Sequence, residues 1–414
     1  MDSLKPDHKT ISDFRKNNIR PLQKLFKEFV KLCKQWDLIG GELFAFDGSK
    51  FKASNNKKNN FSRKKIEARL AAIDEKIDNY LAELEAQDKQ ENQPEASVPP
   101  EKVPEIQELL SRKEKYENFK KHLDETGENE ISTVDPDARL MGNNRGGVDI
   151  AYNVQSAADA KHSILVDYDV STNPSDQNQL GNMVKKVKRT LKLKRFTALA
   201  DKGYYNGKDL FRVKRQKVVA IVARQKPSDS KTVHKDYRTE NFEYDESTNT
   251  YTCPQDHTLT TRNKKAAKRW NYSNKQACKG CPHQAECITG KAEFRTVTRS
   301  QYSKIYDQTD KRFAENKELY KRRQEIVEHP FGTIKHTMNG GYFLLRTRRK
   351  VRAEVALLFL GYNLKRAVNV LGFDEIMARL DAISVTSRSL FAFFLNRVQL
   401  VPYYVTYRKL AFCG

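Results

Sequence analysis

The feature that most constrains this chain is a succession of short apolar runs with strand character, interrupted once by a long charged stretch and later separated by helical segments. Glu42-Leu43-Phe44-Ala45-Phe46-Asp47-Gly48 reads as a short buried strand that ends in a carboxylate followed by glycine. Val148 to Gln155 and Ser163 to Val170 show the alternation of paired strands. After a helical stretch from Gln177 to Leu191 come the strand Phe196 to Asp201, a helix near Gly207 to Gln216 and the strand Val218 to Val222. Strands in succession, then helix and strand in alternation, predict an α/β fold: a mixed sheet flanked by helices.

The charged stretch has its own grammar. From Arg63 to Leu84 the apolar residues Ile66, Leu70, Ile73, Ile77, Leu81 and Leu84 recur at three- and four-residue spacing among Lys, Glu and Asp, the pattern of a coiled-coil helix. Pro94, Pro99, Pro100 and Pro104 stop that helix, and Ile106, Leu109, Leu110, Tyr116, Phe119 and Leu123 begin a second. The expectation is a helical hairpin projecting from the sheet, either a partner- or DNA-binding arm or a solvated structural one. Ahead of the first strand, residues 10 to 36 read as two amphipathic helices, with Pro21 opening the second and a packing role for both.

Lys and Arg number 76 against 53 Asp and Glu, a net charge of +23, and this excess favours a polyanionic partner through counterion release. A membrane surface is the competing partner, but no run approaches the roughly 18 apolar residues of a spanning helix. The N-terminus MDSLKPDHKT lacks the zones of a signal peptide, so the sequence reads as soluble and cytoplasmic, in contact with the nucleoid. The hydrophobic content of 38% implies that part of the chain is extended and solvated.

Asp47 and Asp201 each close an apolar strand, and neighbouring strands would bring their oxygens to one sheet edge. Hard cations such as Mg²⁺ take oxygen ligands of this kind. A single strand-end Asp is more often a turn residue or cap. The segment Tyr320-Lys321-Arg322-Arg323-Gln324-Glu325-Ile326-Val327-Glu328-His329-Pro330-Phe331-Gly332-Thr333-Ile334-Lys335 supplies a third acid. It resembles the Tyr-Arg-Glu signature of insertion-sequence DDE transposases, most closely the eleven-eighty-two type. Asp47-Gly48-Ser49-Lys50 and Ala200-Asp201-Lys202-Gly203-Tyr204-Tyr205 resemble that family's first and second acidic motifs. Asp135-Pro136-Asp137-Ala138-Arg139, Gly147 to Asn153 and Gly361 to Arg366 are further family-like blocks, and the resemblance runs from about Pro6 to Gly372.

The resemblance implies an RNase H-like core, catalytic and metal-ligating Asp47, Asp201 and Glu328, and two Mg²⁺ or Mn²⁺ ions. It implies phosphate contacts for Tyr320, Arg323 and Lys335. Four residues separate Arg323 from Glu328 where the signature has three, so Arg322 is the alternative contact; Glu325 is the rival acid, but only Glu328 has the expected spacing to Lys335. Family members also usually carry a region ahead of the block that here begins at Pro6; if that region reads the terminal repeat, the resemblance implies a truncated chain.

Of six cysteines, Cys253, Cys278, Cys281 and Cys287 cluster, and a Cys-x-x-Cys pair with two further thiols fits tetrahedral, structural Zn²⁺. His257 or His283 can replace one ligand, and four free thiols is the plainer reading. Lys264, Lys265, Lys268, Arg269 and Trp270 in the same stretch are either a DNA grip with one stacking aromatic or a solvated basic loop. Arg346, Arg348 and Arg349 belong to a basic segment read as a phosphate-binding entry to the apolar helix Ala356 to Val370.

The expected organisation is an N-terminal helical region (1–40), the first strand of the core (41–62), the coiled-coil hairpin insertion (63–130), the core continued (131–226), a small zinc-binding insertion (227–300), the C-terminal core helices (301–375) and a tail (376–414). The expected activity is metal-dependent cleavage and strand transfer at insertion-sequence ends by a homodimer bound to terminal-repeat and target DNA. The alternatives are an inactive or truncated transposase-derived DNA-binding protein, and a nuclease without strand transfer.

Overall fold

The computed structural model describes residues 7–90, 103–143, 146–225, 232–263 and 268–386. Pro6, Pro94, Pro99, Pro100, Lys264, Lys265 and the tail beyond residue 386 lie outside the described residues. The chain opens with helices α1 (His8–Asn17) and α2 (Ile19–Gln35); α2 starts two residues ahead of Pro21, which lies in its first turn, where the missing N–H has no partner to lose. Leu22, Phe26, Phe29, Val30 and Cys33 of α2 form the buried stripe that the periodicity predicts.

Strand β1 (Leu43–Lys52) follows, then the short β2 (Asn60–Ser62), helices α3 (Arg63–Gln90) and α4 (Val103–Thr126), and β3 (Glu130–Ser132), which pairs antiparallel with β2. The two helices pack on each other, with Lys113 Nζ 2.8 Å from Asp74, over a small core of Phe61, Ile66 and Leu123. Both the departure and the return of the chain pass through the β2–β3 pair.

The main sheet adds β4 (Arg139–Gly142), β5 (Val148–Asp159), β6 (Leu165–Ser171), β7 (Thr197–Ala200) and β8 (Val219–Val222), with helices α5 (Leu180–Leu191) and α6 (Gly207–Arg215) between the later strands. Its order is β4-β5-β1-β7-β8, with β6 also paired to β5. The β4, β5, β6 and β1 neighbours run antiparallel, whereas β1, β7 and β8 run parallel. This is a mixed sheet with helices packed on it, compatible with an RNase H-like core. One expectation is corrected: β1 does not end at Asp47 but continues to Lys52, because β5 is long enough to pair with it as far as Lys52↔Ala151.

Residues 243–300 form a second, antiparallel sheet of five short strands, β9 (Glu243–Asp245), β10 (Thr250–Thr252), β11 (Thr258–Thr261), β12 (Arg269–Ser273) and β13 (Thr296–Ser300), with the small helices α7 (Lys275–Lys279) and α8 (Gln284–Cys287) before the last strand. Helices α9 (Ser303–Glu315), α10 (Lys317–Gly332), α11 (Arg348–Leu371) and α12 (Phe373–Thr386) complete the chain. A π-helical turn, residues 333–337, extends α10. Helix α10 lies against β1, β5 and β7, while α11 packs on α2 and β6. No described helix is long and apolar enough to cross a membrane.

Candidate active site

The register of the parallel pair places the two aspartates. Phe46 of β1 is opposite Ala200 of β7, so Asp47 and Asp201 follow at the same level on adjacent strands. Ala45, Phe46, Leu199 and Ala200 are fully buried behind them, so the apolar runs anchor the strands and leave the next side chain at the edge of the core. Asp201 also caps a short helical turn, accepting from Lys202 N at 2.7 Å.

Asp47 is 28% exposed, and its carboxyl is pushed up to about 6. Burial is the largest cause; the Arg323 guanidinium opposes it, and Asp176 and Asp201 add repulsion. The site is therefore rich in carboxylate and only partly compensated.

Cations approach from α10 and the turn after it. Arg323 lies 3.9 Å from Asp47 Oδ1 and 5.8 Å over the Tyr320 ring. Burial raises the Tyr320 hydroxyl, with Arg323 opposing the shift. Arg322 and Glu325 are exposed, so of the two adjacent arginines the one facing the acids is Arg323. Lys335 sits in the π-helical turn, where its Nζ donates to Ser49 Oγ at 2.7 Å and Lys50 O at 3.0 Å and rides 4.8 Å over the Phe51 ring. Burial pulls its ammonium below the ordinary lysine range, against the pull of Asp47.

Glu328 is on the same helix but is not joined to the pair. It is exposed and accepts from Gln324 Nε2 at 2.7 Å, one turn back. Among the described residues no three His, Cys, Asp or Glu side chains converge as a ready ligand set. Asp47 and Asp201 suit a divalent cation by donor chemistry and placement.

Two neighbours of the acid pair escape sequence reasoning. Asp176, between β6 and α5, accepts from Asn153 Nδ2 and Gln155 Nε2, each at 2.7 Å, and lies 3.7 Å from Lys50 Nζ. In the sequence it sits in Asn173-Pro174-Ser175-Asp176, which reads as turn punctuation and nothing more. Lys50 was visible as part of the Asp47 motif, but only the fold shows it beside a second carboxylate.

Cys253, Cys278, Cys281 and Cys287 line one small cavity with His257, and none of the four is in a disulfide. Burial raises the Cys287 thiol to about 11; Arg295 opposes the shift, and the other three cysteines add to it. The thiols therefore share one neighbourhood without forming the ready ligand set that zinc was expected to find. Trp270 is half-buried against the Tyr251 and Tyr272 core of this unit, while Lys268 and Arg269 are exposed. Arg346, Arg348 and Arg349 are exposed as well; Arg348 also donates through Nε to Val170 O at 2.6 Å, and its guanidinium lies 3.9 Å from Asp169.

A mixed sheet with two carboxylates at the same level on neighbouring parallel strands, and a basic helix across them, is compatible with an RNase H-like DDE domain. Residues 252–368, from the end of β10 through most of α11, match the family model described as a transposase DDE domain, which supports a likeness to insertion-sequence DDE transposases over that stretch. The matched stretch contains Glu328 and Lys335 and leaves Asp47 and Asp201 outside it. No curated protein and no solved structure matches the chain.

Proposed function

We propose that this chain is a transposase that cleaves and joins DNA strands at insertion-sequence ends, with Asp47, Asp201 and Glu328 as its metal-holding acids. The observation that carries the reading is the level placement of Asp47 and Asp201 on parallel neighbours, beneath a helix that presents Arg323 and is followed by Lys335. When two Mg²⁺ or Mn²⁺ ions are bound by such acids they activate the attacking oxygen and stabilise the leaving one. Lys335 donates to two neutral acceptors and so keeps charge to offer a phosphate; Arg323 suits bidentate phosphate recognition, and Tyr320 braces it. Arg346 and Arg349 extend the basic surface. In the first step a water oxygen bonds to phosphorus while the bond to the 3′ oxygen breaks and that oxygen takes a proton. In the second, the freed 3′ hydroxyl bonds to a target phosphorus, loses its proton and expels a target 3′ oxygen.

The experiment is cleavage of DNA carrying the flanking genomic end sequence, by wild type and Asp201→Asn, in Mg²⁺ and in Mn²⁺. Product from the wild type and none from the variant, with DNA binding retained in both, is the expected result; equal product would remove Asp201 from the site. The second reading, a DNA-binding descendant without catalysis, is favoured by Glu328 standing apart on Gln324, and it predicts binding without product in either metal.

The cysteine unit fits a structural zinc by donor type, four thiols around one cavity, and we read it as a clamp on the second sheet. Metal analysis of protein purified without added zinc should find about one Zn²⁺ per chain, and markedly less in Cys278→Ser. Equal content in the two, or none in either, would leave the thiols as ordinary packing residues. Two copies of the chain on paired DNA ends complete the proposed assembly, with the α3–α4 arm free to contact a partner or DNA.

A further inference from the structure

We infer that Asp176 is a positioning residue that ties the turn bearing Asp201 to the strand bearing Asp47, and so sets how tightly that acid pair holds a divalent cation; the inference rests on the metal-holding reading of those two residues.

The strand register prepares the place. Gly48 is opposite Gln155, and Lys50 is opposite Asn153, in the antiparallel β1–β5 pair. Opposed residues share a face of the sheet, so two amides and an ammonium surround a position with no side chain. The Asp176 carboxylate fills that position. A Cβ on Gly48 would stand 2.2 Å from Asp176 Oδ1 and 2.4 Å from Gln155 Nε2, so a larger residue would push the carboxylate and the amide out of this position. The glycine after Asp47 makes room for the carboxylate's approach to the backbone rather than for a turn, since β1 runs straight through it.

The second half of the tie runs to Asp201. Gln155 donates to Asp176 through Nε2 and accepts from the Tyr204 hydroxyl through Oε1. Tyr204 follows Asp201 by three residues and is 1% exposed, and Gly203 between them packs against the Asp176 side chain: a Cβ there would be 3.4 Å from Oδ2. Asn153 and Gln155 are fully buried, so their amides have no solvent to turn to. Without the carboxylate both amides lose an acceptor, and a buried network with one member removed loses its fixed geometry. The path Gly48, Asp176, Gln155, Tyr204 therefore links the neighbours of one metal-holding acid to those of the other, although Asp176 itself is spent on amides and Lys50. Partners of this outer kind typically govern about 10- to 100-fold in metal affinity.

The test is Mn²⁺ binding to the full chain without DNA, by calorimetry, in wild type, Asp176→Ala, Tyr204→Phe and the double variant, beside melting temperatures in EDTA. Each single change should weaken Mn²⁺ by about tenfold, and the double variant should be little weaker than the worse single, since both cut one path. Lower melting temperatures with wild-type Mn²⁺ affinity would make the network merely structural and overturn the inference. Should Asp176→Ala fail to fold, Tyr204→Phe, which keeps the ring and removes only the hydroxyl, decides alone. Asp201→Asn separates the two layers. If it binds Mn²⁺ like the wild type, the metal reading falls and takes this inference with it; if it loses Mn²⁺ while Asp176→Ala and Tyr204→Phe do not, only the inference falls.

Discussion

His162 shows how one side chain writes a pH dependence into the fold. Burial, with the cations Lys161 and Arg366 adding to it, holds the imidazole below its ordinary value of 6.5. The folded chain thus prefers the neutral ring, and the unfolded chain binds the proton more readily. Stability from this residue is present above 6.5 and is lost as pH falls through the depressed value. Urea midpoints at pH 7.5 and pH 5.5 should differ less in His162→Asn than in the wild type; an identical difference would show that His162 does not contribute. At this scale the sequence was informative where a residue stood in a motif and silent where it stood in a turn. Asp47, Asp201 and Lys335 could be named from their neighbours in the chain. Asp176 could not, because its meaning depends on Gly48, Gln155 and Asn153, which come to it only through strand pairing. Arg348 reads as a phosphate contact by charge, and only the packed structure shows that this exposed side chain also bonds Val170 O and lies beside Asp169.

The helix α2 illustrates what an element contributes. Phe26 is fully buried, with its ring centroid 5.4 Å from that of Tyr168 on β6 and 6.3 Å from that of Phe359 on α11, so one ring joins two helices and the sheet. Phe26→Ala should destabilise by about 3–5 kcal/mol, read as a lower chemical-denaturation midpoint with unchanged slope. A loss below about 1 kcal/mol would mean that the α2–α11 interface closes over the cavity. The main strands and most helices were legible because each carries a long enough apolar pattern. The strands of the second sheet were not: each has three to five residues, too short for alternation to stand out. The π-helical turn was also invisible. Pro330 offers no N–H, and after it the ladder widens until Met338 N reaches Thr333 O, five residues back. That widening is what delivers Lys335 to Ser49.

For the whole molecule, the charge of +23 dictates a DNA affinity that falls steeply with salt whatever the sequence bound. Lys335→Ala should flatten the slope of log affinity against log salt by about one phosphate contact, because its hydrogen bonds go to a hydroxyl and a carbonyl and Asp47 acts on it only through space. Arg323→Ala should change it less, since part of its charge is already taken by Asp47 at 3.9 Å. An unaltered slope in Lys335→Ala would assign that lysine to β1 packing alone. The short β2–β3 pair has a different consequence. Ser62 and Glu130 are partners across it, so the 67 residues between them, taking 130 − 62 − 1, leave and rejoin the body through points about 5 Å apart. The α3–α4 arm is thus a detachable cassette whose ends fit a tight turn. Such a junction lets evolution lengthen, trim or exchange the arm without disturbing the main sheet, and it gives an experimenter a place to splice in a reporter outside that sheet.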